Sequence, residues 1–490
     1  MRNVSGFGAA SGGDAAGVVE LFERSSSSLS FDDGTTVSSD RLAEDGRRLA
    51  RSLAQRGIGP GDRIAVHLPN GADYVRLLLA CAAGGFVAVS VNTRYSADEA
   101  AELVERAGAH AVGVVSDWRT SPPVDTVPAA DDPFVVFTTS GTTDRPKMVL
   151  HTQRSITAHA HDASGAFGYG PNDTVLVVMP LGGTFGLTSL TAAIAGGSAV
   201  VVTDFDLERT ARLIEDRRVT AVNGSDDLFH RLIERSTDLT SIRLGGVARF
   251  NTSLDHVVLD AERHGATLTG LYGMSEVQAL FSLRDPTVGA ADRLRPGGTL
   301  VSRRAGFRIV DGELELRGPS LMAGYLAEGG DHLDEGLMAE HLDDGWFRTG
   351  DLATAEDDRT FEFLARRGDV LRLGGFLVHP LEIESVITEL PGVLAAQVVA
   401  VDRPGGTRPV AFVIGRFDED VVITACRERL AIHKAPIRVI GVDAFPTTPS
   451  ANGTKIQRSQ LRARAEFLLA DESSRQGSSP HSTGSAPSVR

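Results

Sequence analysis

The chain reads as an α/β protein: a large N-terminal domain of mainly parallel sheets covered on both faces, a small β-rich subdomain, and a smaller, mobile α+β C-terminal domain. Three observations predict this. From Arg63 to Leu271 short β-branched runs alternate with longer amphipathic stretches, the pattern of parallel strands joined by crossover helices. After about Pro286 the texture turns to paired strands such as GFRIVDGELELRG, with Asp311-Gly312 as the turn. The length of 490 residues exceeds what one core usually organises.

Taken in order, RIAVHL, FVAVSV and AVGVV are strands separated by helices over Tyr74–Ala83 and Ala97–Arg106. FVVFT, TVLVVM, AVVVT, TAVN and ATLTGLY continue the series, with helices at Leu207–Glu215 and Leu228–Glu234. Beyond Arg366 come a Gly-rich loop, a helix over Leu381–Leu390, strands VLAAQVVAV and RPVAFVIG, a helix over Val421–Leu430 and strand IRVIGV. That is a compact module of ordinary domain size. Pro380 marks the start of its first helix, where Glu382 and Glu384 are favourable near the N-terminus and structural. The N-terminal domain is placed at 18–367, a hinge at 368 and the C-terminal lid domain at 369–470. Residues 1–17 and the Ser-, Gly- and Pro-rich 471–490 are expected to be disordered.

A formal charge of −15 without a Lys/Arg cluster disfavours nucleic acid or an anionic membrane as partner. Cys81 and Cys426 are far apart and lack metal-type spacing, so both are read as buried apolar side chains in a reducing compartment. The apolar stretch Leu77–Val91 is broken by Gly84 and Gly85 and falls short of the about 20 residues that span a bilayer. No sustained hydrophobic region follows the N-terminus, so a cytoplasmic location is expected.

The richest chemistry lies in FTTSGTTDRPKM, Phe137 to Met148. Thr139, Ser140, Thr142 and Thr143 offer hydroxyl donors, Gly141 lets backbone N–H groups turn toward an anion, and Lys147 adds a positive charge. A Ser/Thr-rich turn is ordinarily just solvated, and a P-loop would need Gly before the Lys and Ser or Thr after it, where Pro146 and Met148 stand. The order of hydroxyls, Pro and Lys instead resembles the phosphate loop of the adenylate-forming superfamily, which includes acyl-CoA synthetases, adenylation domains and luciferases.

Further motifs follow in that superfamily's order and cover most of the chain. LYGMSEVQAL resembles the segment whose Tyr stacks on adenine and whose Glu binds magnesium, implying Tyr272, Gly273 and Ser275 for the nucleotide and Glu276 for the metal. GWFRTGDLA implies Asp351 as acceptor for both ribose hydroxyls. LARRGDVLRLGGFLVHPLEIESVI resembles the junction between domains, implying Arg366 at ribose or phosphate and Gly374 and Gly375 along the pantetheine tunnel. Its hinge position holds Gly368 instead of the common Asp or Lys, which keeps rotation open. FPTTPSANGTKIQR implies Lys455 at the acid and α-phosphate, with one extra residue before the Lys.

Other departures bear on the substrate. Asp144 stands where the phosphate loop usually has Gly, and Gly182 and Gly183 replace an aromatic-His gate, with Phe185 as a substitute. Phe185, Gly186, Arg249, Phe250 and Met274 are expected around the acid. Arg249 requires an internal acid or an anionic substrate, the former preferred. His159 and His161 do not share a helical face and are read as surface residues, not metal ligands.

The resemblance implies a ligase that activates a small acid with ATP and magnesium, releases pyrophosphate, and passes the acyl group to coenzyme A. Transfer to a carrier-protein phosphopantetheine, amide synthesis, activation of nitrite to diazotise an aromatic amine, and an inactive nucleotide-binding protein are the alternatives.

Overall fold

The computed structural model describes residues 17–476 except 113–114, 116, 126–127, 140–145, 251–253, 255, 368–369, 374–375, 379, 404–405 and 451–452. At 372, 376–377, 448–450, 453–455 and 470–476 it describes the backbone alone. The chain divides into two compact units, Met1–Phe363 with Ser450–Gly453, and Leu364–Pro449 with Thr454–Arg490.

Two sheets organise the first unit. In the larger, Ser28–Phe31, Ala199–Val202, Thr174–Val177, Ala221–Ser225, Leu244–Ala248 and Leu268–Met274 run parallel in that order. The direction then reverses. Gln278–Leu283, Gly297–Leu300 and Thr360–Arg366 follow antiparallel, and Trp346–Ala355, Glu313–Arg317 and Gly306–Val310 complete the edge. The β-rich stretch after Pro286 forms this antiparallel half, which joins the parallel half through the hairpin after Met274. Asp311 and Gly312 do form its tight turn, both with positive φ of 50° and 78°.

The second sheet orders Gly324–Tyr325, Lys147–Thr152, Pro133–Thr139, Val87–Ser90, Arg63–Val66 and Ala109–Ala111. Its last four strands are parallel and its first three antiparallel. Apolar runs such as Phe134–Phe137 and Val175–Val178 are almost wholly buried, as strands covered on both faces must be.

The sequence-predicted helix Ala97–Arg106 is observed with those limits and starts with a capping box between Ser96 and Glu99. Helices over Ser39–Gln55 and Ala72–Gly84 pack closely at Gly46, where a Cβ would come within 2.5 Å of Leu79. Thr184–Ala195 and Gln153–Phe167 are helices that the sequence reading did not assign.

In the second unit, Val393–Val401 and Arg408–Gly415 pair antiparallel and Arg438–Gly441 joins in parallel. Helices Pro380–Thr388 and Glu419–Arg429 contribute to one apolar cluster, and Arg458–Gln476 packs Leu461, Ala465 and Leu469 into another with Val399, Val401, Val410 and Phe412. This last helix runs six residues into the stretch expected to be a disordered tail. Glu384 is a buried structural carboxylate: it accepts from the Val398 N–H at 2.9 Å and from Arg458 at 3.0 Å. Both cysteines are buried and free. Among the described residues no helix is long and apolar enough to cross a membrane.

Candidate functional site

Pro133–Thr139 and Lys147–Thr152 pair antiparallel with Thr139 opposite Lys147. The hydroxyl-rich segment is thus a strand-to-strand connection, unlike a P-loop, which leads from a strand into a helix. Ser140, Gly141, Thr142, Thr143 and Asp144 lie outside the described residues. Where the connection re-enters the sheet, the Arg106 guanidinium donates to the Pro146 carbonyl at 3.0 Å while pairing with Glu328 at 3.0 Å. One residue on, Lys147 Nζ donates to His341 Nε2 at 2.8 Å and sits 5.1 Å from the centre of the Tyr325 ring.

A second hairpin brings in the acid. Leu268–Met274 turns back into Gln278–Leu283 with a register shift between Tyr272 and Met274. Gly273 permits the close approach, since a Cβ there would lie 2.7 Å from the Ala279 Cα and the Gln278 carbonyl oxygen. Gln278 and Leu280 both take positive φ, 66° and 61°, an uncommon conformation for side-chain-bearing residues. The turn is held from outside: His151 Nε2 donates to the Ser275 carbonyl at 2.7 Å, and the Met322 N–H donates to the Glu276 carbonyl at 2.8 Å. His151 is buried, and desolvation pushes its pKa down to about 4 against the opposing Ser275 hydrogen bond. It is neutral at physiological pH.

The Glu276 carboxylate is only 6% exposed, and its Oε1 accepts from the Tyr325 hydroxyl at 2.9 Å. Among the described residues no group of three or more His, Cys, Asp or Glu could hold a metal by itself. A single buried carboxylate nevertheless fits magnesium, which takes one or two carboxylates and completes its shell with phosphate oxygens and water.

Tyr272 and Asp351 converge beside this hairpin. The Tyr272 hydroxyl donates to Asp351 Oδ2 at 2.6 Å, and its ring packs against Phe361 and Phe363 at centroid distances of 5.2 and 5.9 Å. With Tyr272 8% exposed, little of the ring is uncovered for stacking on a base. Asp351 is 2% exposed. Its N–H donates to Thr349 Oγ1 at 3.0 Å, which donates in turn to the Leu314 carbonyl at 2.7 Å, so the Thr349-Gly350-Asp351 turn is fixed by its own hydroxyl. Gly350 supplies the positive φ of 72° that the turn needs.

The remaining predicted residues are less concentrated. Phe185 is 2% exposed and belongs to the main core, and Gly186 on the same helix lies so close to Pro180 that a Cβ would be 2.2 Å from its carbonyl oxygen. Met274 is half-buried with its sulfur 3.7 Å from the Tyr272 hydroxyl, and the Phe250 N–H donates to Asp226 at 2.8 Å. Arg249 is half-buried, and Glu362 is held below the usual carboxylate range chiefly by its hydrogen bond from Arg295, with Arg249 the smallest contributor. Arg366 is exposed at the end of its strand. Gly368, Gly374 and Gly375 lie outside the described residues, as does the side chain of Lys455, whose backbone belongs to strand Gly453–Ile456. His159, expected at the surface, is fully buried and its Nε2 donates to the Ala279 carbonyl at 2.6 Å, because its helix packs on the Gln278–Leu283 strand.

Three contributors escaped the sequence reading: His151, Tyr325 and His341. Tyr325 had one weak signal, a Gly-Tyr pair at the end of an apolar run. The histidines had none, since their roles depend on partners far away in sequence.

Residues 22–122 and 111–326 match the profile of the AMP-binding enzyme family, and 382–452 that of the AMP-binding enzyme C-terminal domain. A sulfoacetate–CoA ligase from Cupriavidus necator is 30% identical, covering 88% of this chain and 93% of that protein. A feruloyl-CoA synthase from an Amycolatopsis species is 29% identical, covering 88% and 94%. The crystal structure of ATP-bound MatB from Rhodopseudomonas palustris superposes with a TM-score of 0.82 at 23% identity over 93% of this chain and 99% of that one, a likeness of fold.

Proposed function

Because the chain belongs to the AMP-binding enzyme family and is a ligase, we propose that it adenylates a small carboxylic acid with ATP and then transfers the acyl group to coenzyme A. One observation carries the reading: Lys147, which closes the hydroxyl-rich sequence, and Glu276, from two different hairpins, both contact Tyr325. A cation and a carboxylate so placed suit a triphosphate and its magnesium. Curated relatives spanning 88% of the chain, the sulfoacetate–CoA ligase and the feruloyl-CoA synthase, support the thiol step.

In the first half-reaction the acid oxygen attacks the α-phosphorus, the bond to the β-phosphate bridging oxygen breaks, and pyrophosphate leaves. Magnesium held at Glu276 would supply charge neutralisation on the phosphate oxygens. Lys147 counters negative charge from the hydroxyl-rich side, and Lys455 meets the α-phosphate and the acid. Asp351 accepts from the ribose hydroxyls, which orients the nucleotide for in-line attack. In the second half-reaction the thiolate of coenzyme A attacks the acyl carbon and AMP departs, a far better leaving group than oxide. Arg366 contacts ribose or phosphate, Gly374 and Gly375 line the thiol path, and Gly368 permits the intervening rotation.

Pyrophosphate release from ATP, screened against aliphatic and aromatic acids, tests this reading, with thioester formation compared for free coenzyme A and a phosphopantetheinyl carrier protein. Lys455→Ala is expected to slow pyrophosphate release by about 100-fold, the effect of losing one preorganised charge at a developing anion. Equal release by both proteins would remove Lys455 from the mechanism.

A further inference from the structure

Lys147 and Glu276 are the two oppositely charged side chains that the adenylation reading brings to the triphosphate. Left in contact they would neutralise each other and present neither charge to a ligand. Among the described residues no ion pair joins them.

One residue touches both. Tyr325 is buried, places its ring 5.1 Å from Lys147 Nζ, and donates its hydroxyl to Glu276 Oε1 at 2.9 Å. Register explains why the ring lands there: Tyr325 pairs with Val149, two residues beyond Lys147 and therefore on the same face of the strand. The ammonium has a second partner in His341. Lys147 Nζ donates to Nε2 at 2.8 Å, while Nδ1 donates to the Arg348 carbonyl at 3.4 Å. An ammonium only donates and a carbonyl only accepts, so these bonds require the neutral imidazole with its proton on Nδ1. Tyr325 and Phe347 hold the imidazole ring, at centroid distances of 5.7 and 5.9 Å.

We propose that Tyr325 and His341 are positioning residues, which together hold the Lys147 ammonium and the Glu276 carboxylate available to a magnesium-complexed triphosphate. The inference rests on the adenylation reading. It divides the labour: His341 acts through Lys147 on phosphate, and the Tyr325 hydroxyl acts through Glu276 on the metal.

Calorimetric titration of the full chain with ATP, with and without magnesium, tests both halves without requiring the acid. His341→Phe keeps an aromatic ring and removes the acceptor; it is expected to weaken ATP binding about fivefold in both conditions. His341→Gln keeps an acceptor and loses the ring; it should stay within about twofold of wild type. A purely packing role predicts the reverse order. Tyr325→Phe should leave magnesium-free binding within about twofold and reduce the magnesium enhancement about fivefold. Wild-type affinity in His341→Phe, or a Tyr325→Phe defect equal in both conditions, overturns the inference alone. Failure of the wild-type chain to bind ATP at all overturns the adenylation reading and this inference with it.

Discussion

The Tyr272 hydroxyl donates to Asp351 Oδ2 at 2.6 Å across 79 residues of sequence. A phenol and a carboxylate expected to serve different parts of a nucleotide are thus bonded to each other. The bond places the Asp351 carboxylate against the hairpin that carries Glu276, and it shields a charge that is 2% exposed.

Tyr272→Phe removes a donor to a buried carboxylate. Stability is expected to fall by about 1–3 kcal/mol, measured by urea denaturation. Asp351→Asn keeps the shape but loses the charge, and the Michaelis constant for ATP should rise about tenfold through weaker bonds to ribose. An unaltered constant would remove Asp351 from the nucleotide site.

Gly273→Ala forces a Cβ to within 2.7 Å of backbone atoms of Gln278 and Ala279, which cannot swing aside as a side chain would. The hairpin must shift, at a stability cost of about 1–3 kcal/mol. Gly165→Ala is the control, because this helical glycine is exposed with nothing within 4 Å of the added atom. It should stabilise by about 0.5–1 kcal/mol, read from the same melts.

His151 links the site to acid stability. Its folded pKa, pushed down to about 4 by burial, lies below its unfolded value, so the unfolded chain binds more protons in between. The resulting stabilisation is fully present above about pH 6.5 and is lost progressively as pH falls toward about 4, amounting to about 3 kcal/mol. Denaturation midpoints from pH 4 to 7 should show this slope, and His151→Gln should flatten it. A slope unchanged in the variant would assign it to other groups, foremost His159, whose burial acts in the same direction.

Glu384→Ala removes, in the second unit, the carboxylate that accepts from both the Val398 N–H and Arg458. Loss of this buried acceptor is expected to destabilise by about 1–3 kcal/mol. Calorimetry should resolve it as a lower transition confined to this unit, and an undivided shift of the whole chain would show that the two units unfold together.

Some of this was legible because its signal is local. The helix Ala97–Arg106, the strands Val393–Val401 and Arg408–Gly415 and the Asp311-Gly312 turn each declare themselves through periodicity, caps or turn residues within their own span. Thr184–Ala195 did not, since a helix buried on nearly every face loses the polar stripe that reveals a 3.6-residue period. Likewise, nothing near Pro286 indicates that the later strands will extend the main sheet, because that depends on pairing through the Tyr272–Gln278 hairpin.

By itself the sequence determined which residue types stand in which order: a hydroxyl-rich connection ending in Lys147, then Tyr272 with Glu276, then Asp351, then Lys455. Only the tertiary structure decided that Tyr325 contacts both Lys147 and Glu276, that His341 takes the ammonium, that Tyr272 bonds to Asp351, and that His159 is interior. Order along a chain is a one-dimensional property written in neighbouring residues. Which side chains meet is set by strand register and by the burial of surfaces tens to hundreds of residues apart, and those exist only once the sheets have formed.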